Sequence, residues 1–460
     1  MADERLSTTL RVRYRLTPWY VKVLVIFVVS RIVTTSLLLA YAAIQPTNAW
    51  TGASPNYFDF AAIWDGHWYY IIAAVGYPTE LPLTDTGNVG ESAWAFMPGY
   101  PAIVRLVMFL TWTDFPVAAV IVSVGFALGT ALVFYKLMAR VLPGGTALLA
   151  VVLFCFAPLS PILQVAYAES MHTFLLALAL YLLLQRRYWL MLPVIAVMAL
   201  TRPSGLAFAL AMLMHVVYRW WVRARDPFPV GERVASVAVG LFSAVMGVAW
   251  ILIAWALTGS PTAYTDTELA WRSAYIGYVD LVPFTPWLQA AGFWAPWFGM
   301  PLPLLLVILG LIVIGFFAFL FTPWARRLGP DLRFWLASYA LYLLAVFFPQ
   351  SSTFRLLVPL APLAGAFAAG SASCSSRRRR RCSAIASDFF LVGAITMIML
   401  RPSCLGADST TPSSAMSWAS FWRSRKPSSG RDCSRPRNMI VTLTLSPPLR
   451  NRSTCPFLVA

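Results

Sequence analysis

Asp65 stands in the run Trp64-Asp65-Gly66-His67-Trp68-Tyr69-Tyr70, a carboxylate with aromatic rings on both sides. Aromatic neighbours strip water from a carboxylate and raise its proton affinity, making it a stronger base toward a hydroxyl. Aromatic faces also pack on the apolar faces of sugar rings. Asp65 is therefore the candidate catalytic residue, with Trp64, His67 and Glu80 of Gly76-Tyr77-Pro78-Thr79-Glu80 as candidate substrate-binding residues. A second reading is an interfacial helix whose Trp and Tyr sit at headgroup level and whose Asp65 is simply solvated. His67 is open to three roles: proton relay, metal ligand with Asp65 and Glu80, or structural side chain. No second histidine lies at ligand spacing, so no metal site is assigned and no cofactor is identified; divalent-metal dependence stays open.

Three further charged residues complete the candidate binding set. Glu169, in Tyr167-Ala168-Glu169-Ser170, places an acid at the boundary of an apolar segment. It reads either as a functional group or as a favourable charge at a helix N-terminus. Arg202 in Thr201-Arg202-Pro203-Ser204-Gly205 and Arg355 in Gln350-Ser351-Ser352-Thr353-Phe354-Arg355 fall away from the side on which most basic residues gather. A guanidinium so placed fits a phosphate bidentately or pairs with Asp65, Glu80 or Glu169. No glycine-rich phosphate loop accompanies them. Any phosphate-bearing donor is then held by arginine and by the membrane, which favours a lipid phosphate over a nucleotide sugar.

The elements that must position these residues are membrane helices. With 59% hydrophobic and 12% charged residues among 460, the chain lacks the polar surface to cover a soluble globule. Apolar stretches near 19–44, 116–138, 145–166, 234–258, 301–322 and 332–349 are long enough to span, and shorter or interrupted ones lie near 98–112, 170–185, 188–221 and 354–370. The fold class expected is an all-α polytopic membrane protein, a bundle of about nine to eleven transmembrane segments with a long first extracytoplasmic loop. Between Arg31 and Arg105 there is no lysine or arginine, while Asp59, Asp65, Glu80, Asp85 and Glu91 all fall there. Basic residues are retained on the cytoplasmic side, so the acidic loop, 32–97, faces out from the cytoplasmic membrane. Loops 259–300 and 350–354 join it there. Arg5, Arg11, Arg13, Arg15 and Lys22, and the basic groups at 136–140, 186–187, 219–233, 326–333 and 377–381, stay inside. Two segments strain this scheme. Segment 98–112 inverts every later loop if it crosses, and 188–221 is too long for one helix and reads as a broken helix that turns back around Pro203.

Three regions result: a basic N-terminus (1–18), a transmembrane domain (19–370) and a tail (371–460). The tail is rich in Ser, Arg, Pro and Cys and supplies thirteen Arg and one Lys against three Asp, most of the net charge of +17. That charge therefore does not argue for nucleic acid. The tail reads as disordered or as out-of-frame translation, and its apolar run 384–400 is interrupted by Asp388. Its cysteines match no zinc spacing.

The order Trp64-Asp65-Gly66-His67, Gly76-Tyr77 with Glu80, Ala95-Phe96-Met97-Pro98-Gly99-Tyr100-Pro101, Tyr167-Ala168-Glu169-Ser170 and Thr201-Arg202-Pro203-Ser204-Gly205 resembles the PIG-V-like mannosyltransferases of the GT-C class, over residues 20–365. The resemblance implies a GT-C bundle that transfers mannose from a polyprenyl-phosphate donor to a lipid-linked or membrane-bound glycan on the extracytoplasmic face. Asp65 matches the acid that this class carries in its first external loop. The tail departs from the family, which has further helices there. The partners implied are the lipid-phosphate sugar, the glycan acceptor and membrane lipids. The alternatives are a transporter or flippase of a lipid-linked sugar, and a non-catalytic subunit of a transferase complex.

Overall fold

The computed structural model describes residues 15–374. Arg5, Arg11, Arg13, the arginine run 377–381 and the apolar run 384–400 fall outside these residues. The described chain is an all-α polytopic membrane protein, with a single isolated bridge, Leu83 to Val89, as its β-structure. In hydrocarbon every backbone N–H and C=O must be bonded within the chain, so long apolar runs become helices. Four are long and apolar enough to cross a membrane: α1 (Trp19–Ile44), α5 (Phe115–Met138), α10 (Val230–Thr258) and α13 (Leu302–Phe319). The other elements are α2 (Tyr57–Ala61), α3 (Asp65–Val75), α4 (Gly99–Thr111), α6 (Gly144–Cys155), α7 (Glu169–Leu184), α8 (Tyr188–Ala199), α9 (Gly205–Trp221), α11 (Ala263–Ile276), α12 (Pro286–Trp297), α14 (Pro323–Arg326), α15 (Gly329–Val346) and α16 (Leu363–Cys374).

Prolines set many boundaries, because a residue without an N–H interrupts no ladder when it precedes a helix. Pro18, Pro143, Pro229 and Pro301 each stand at such a start. Proline also corrects one expected span. The apolar stretch 145–166 is not one helix: α6 stops at Cys155, and after Pro158 the chain makes a short 3-10 helix, Ser160–Gln164. The stretch 354–370 likewise divides into a 3-10 helix, Arg355–Leu360, and α16. The acidic loop also begins later than Ile32, because α1 continues to Ile44.

Contacts between helix ends establish direction. Trp19, in the first turn of α1, stacks on Tyr135 near the end of α5 at 5.1 Å, and Lys136 lies over the Trp19 ring at 5.4 Å. The start of α1 and the end of α5 are therefore at one end of the bundle. Everything from 45 to 114 then leaves from and returns to the opposite end, so this segment as a whole changes no side. Arg140 over Tyr181 brings the end of α7 to the same place. There Arg186 and Arg219 both pair with Asp226, and Arg219 reaches Glu232 at 2.9 Å. All the described basic groups assigned inside from sequence lie toward this end.

The broken helix does turn back. Tyr188, first residue of α8, hydrogen-bonds His215, ten residues into α9, at 2.9 Å, so the two halves run antiparallel. At ~1.5 Å per residue α8 rises ~18 Å and α9 descends ~26 Å, each less than a ~30 Å hydrocarbon core. The hairpin tip stays inside the bundle. Gly205, at that tip, abuts Gly247 and Ser243, midway along the 29-residue α10. The Ser243 hydroxyl caps the Gly205 carbonyl at 2.8 Å. A methyl on Gly205 comes within 2.6 Å of the Gly247 Cα, so the two glycines permit this crossing.

Candidate active site

The acidic loop folds down into the bundle. Asn56 caps α2 by accepting from the N–H groups of Phe58 and Asp59, and the Ala61 carbonyl accepts the Ala166 N–H at 2.9 Å. Gly66 faces Ala166 so closely that a Cβ there meets the alanine methyl at 3.3 Å. Trp64, at φ +58, forces the reversal that starts α3, and its indole turns to Trp50 at 4.2 Å. Asp65 thereby enters the first turn of α3, beside the segment that leads into Glu169.

Further motifs converge on the same level. The Tyr77 hydroxyl donates to the Phe96 carbonyl at 2.8 Å, tying the Gly76-Tyr77 turn to the Phe96-Met97-Pro98-Gly99 segment. The Gly99 N–H donates to the Leu200 carbonyl at 2.7 Å, and a Cβ on Gly99 comes within 2.8 Å of that oxygen. Only glycine lets the start of α4 grip the tip that carries Arg202. Tyr100 anchors the same turn through its hydroxyl to Ala119 and Ser123.

Four charges meet there. Arg355 pairs with Asp65, and its Nε lies 3.8 Å from Glu169. Arg202 pairs with the same Glu169 oxygen at 2.8 Å. Glu169 is buried, and its other oxygen and the Arg355 Nε have no hydrogen-bond partner. Both border a cavity of about 10 Å³, room for one water, that His172, Thr173 and Tyr339 also line. His172 is held by Ser204 at 2.8 Å, and Arg355 also lies over the Tyr167 ring at 5.5 Å. Residues 65, 169, 202 and 355 thus form one cluster, although 290 positions separate its first and last members.

The remaining candidates are placed elsewhere. His67 is exposed, its ring near Tyr70 at 6.2 Å, and Glu80 is exposed beyond Pro78; neither makes an ion pair among the described residues. No group of His, Cys, Asp and Glu among the described residues is arranged to hold a metal ion.

Sequence reasoning missed the outer wall. On α11, Thr267 meets Ser92 at 3.2 Å, and Trp271 stands edge-on to Trp68 at 5.7 Å, one turn beyond Asp65. Glu268 is hydrogen-bonded to Tyr264, and burial pushes its carboxyl above the ordinary range while Arg272 and Arg202 oppose the shift. The spacing Tyr264, Glu268, Trp271, Arg272 on one helical face was a signal available in the sequence.

No protein-family model matches the chain, and no curated protein matches it. Among solved structures it is similar to the Archaeoglobus fulgidus oligosaccharyltransferase tethered with an acceptor peptide containing the NVT sequon, with a TM-score of 0.42, 12% identity, and 82% of this chain and 54% of that chain covered. The same enzyme in complex with Zn and sulfate gives 0.43, 13%, 81% and 52%. The archaeal oligosaccharyltransferase AglB in complex with an inhibitory peptide and a dolichol-phosphate gives 0.39, 12%, 82% and 54%. The chain spans about half the length of these structures. At identities this low, the reaction is to be read from the residues of this chain.

Proposed function

We propose that this chain is a GT-C-type glycosyltransferase that moves a sugar, mannose by the PIG-V-like motif order, from a polyprenyl-phosphate donor to a lipid-linked or membrane-bound glycan. The reaction takes place at the end opposite the basic residues, which faces out from the cytoplasmic membrane. The observation that carries this reading is the joining of Asp65 to Arg355, Glu169 and Arg202 inside an apolar bundle. Such a cluster supplies a base and two phosphate-binding cations within one site.

The chemistry follows from the charges. The acceptor hydroxyl attacks the anomeric carbon, Asp65 takes its proton, and the bond to the phosphate oxygen breaks through an oxocarbenium-like transition state. The departing phosphate is taken by guanidinium groups, which match its geometry. While Arg355 is paired to Asp65 the base is occupied. A donor phosphate competes for Arg355, and the same event frees the carboxylate. Glu169 holds Arg202 in place throughout, and Trp68 and Trp271, packed with Phe96, wall the site one turn beyond Asp65.

The test is transfer from radiolabelled polyprenyl-phosphate mannose in membranes lacking the native gene. Asp65→Asn should lower transfer by about 10² to 10⁴ with membrane insertion intact. Activity within about threefold of wild type removes Asp65 from the mechanism and favours a non-catalytic subunit.

A further inference from the structure

A cavity of about 360 Å³ opens at the arginine-rich end, lined by Arg186, Arg187, Tyr188, Trp189, Glu232 and Ala235 among others. It lies between the turn from α7 to α8 and the first turn of α10, at the far end of the bundle from Asp65. The mechanism above uses none of it. We infer that it binds the phosphate headgroup of an anionic phospholipid.

Charge argues for an anion. Arg186 is committed to Asp226 at 2.5 Å and lies 3.9 Å from Glu232, whereas the exposed Arg187 makes no ion pair among the described residues. Around the cavity, residues 186–187 and 219–235 contain six arginines against Asp226 and Glu232. Those two acids are already shared with Arg186 and Arg219. The first turns of α8 and α10 also face the cavity, and neither has a side-chain cap, so N–H groups add to the positive field.

The walls argue for a lipid rather than a soluble anion. Trp189 and Leu190 at the mouth are 58% and 52% exposed, and Val230 and Val234 beside it are 67% and 57% exposed. Trp221 nearby is 83% exposed. Aromatic and aliphatic groups at the charged end of a bundle sit at the membrane interface, where acyl chains lie against them and cations meet headgroups. The Tyr188 hydroxyl, held by His215, stiffens the floor.

The experiment uses the purified full chain and native mass spectrometry to count bound lipid after exchange into mixed vesicles of phosphatidylglycerol and phosphatidylcholine. Wild type should retain one phosphatidylglycerol in clear preference. Arg187→Ala should weaken that retention by about fivefold, roughly the value of one interfacial arginine. Trp189→Ala should weaken both lipids together, and Arg105→Ala, at an exposed arginine outside this end, should change nothing. Arg187 makes no ion pair, so its loss leaves the fold intact, which an unchanged gel-filtration profile checks. Equal retention of the two lipids, or an Arg187→Ala profile like wild type, overturns the inference. So does complete displacement of phosphatidylglycerol by millimolar inorganic phosphate, because the cavity is then a free-anion site.

Discussion

Asp65, Glu169, Arg202 and Arg355 neutralise one another, and that constrains what each substitution does. Removing one member of a buried pair leaves a desolvated charge, which costs more than the pair itself contributes. Asp65→Asn should therefore lower stability by about 3 kcal/mol, since Arg355 loses its partner, in addition to the fall in transfer that follows from losing the base. The double variant Asp65→Asn with Arg355→Gln should recover most of the melting temperature and none of the activity. Thermal melts in detergent beside the transfer assay separate the two effects; a double variant as unstable as the single one removes the charge argument. Arg202→Lys keeps the charge but loses the planar fork. It should raise the donor KM about tenfold, the value of one charged hydrogen bond, with alanine worse and acceptor KM little changed.

The elements that hold these residues depend on close backbone approach at a few glycines. Gly99 allows the start of α4 to donate to Leu200, and nothing larger fits between them. Gly99→Ala should push the hairpin tip outward, costing about 1–3 kcal/mol and displacing Arg202 from Glu169. Loss of activity greater than the loss of folded protein, measured on the monodisperse detergent-extracted fraction after gel filtration, is the expected result. At the other end of the same hairpin, Tyr188→Phe removes only the bond to His215. It should cost about 1 kcal/mol in a melt and leave transfer near wild type.

For the whole molecule, the contacts between helix ends require the bundle to be two-sided. Trp19 against Tyr135, Arg140 over Tyr181 and Arg186 with Asp226 share one end. The loop around Asn88, tied by the Val89 carbonyl to Tyr278 at 3.1 Å, belongs to the other. In a cysteine-free background, Asn88→Cys should label with an impermeant maleimide on intact cells, and Ala224→Cys only after permeabilisation. Labelling of both from one side is incompatible with this arrangement. α13 shows how a membrane protein differs from a globule: none of its residues is buried. Lipid supplies the apolar contact that a protein core supplies elsewhere.

Much of this was readable from the sequence because the bilayer reduces choice. Apolar length located most of the helices, and the placement of Lys and Arg matched the end of the bundle at which the described basic groups gather. Pro203 marked the break in 188–221, because a proline cannot continue the ladder. The candidates Asp65, Glu169, Arg202 and Arg355 were found because charge is expensive in apolar surroundings, whatever its partner. The sequence could not say which charges meet. Only the tertiary structure paired Arg355 with Asp65 across 290 positions and gave Glu169 to Arg202, while leaving His67 and Glu80 exposed. It also showed that residues 45–114 leave from and return to one end of the bundle, since that depends on where Trp19 and Tyr135 meet and not on the apolarity of 98–112. Pairing and depth depend on which helices pack together, and short carboxylate and aromatic motifs are silent about contacts between distant segments.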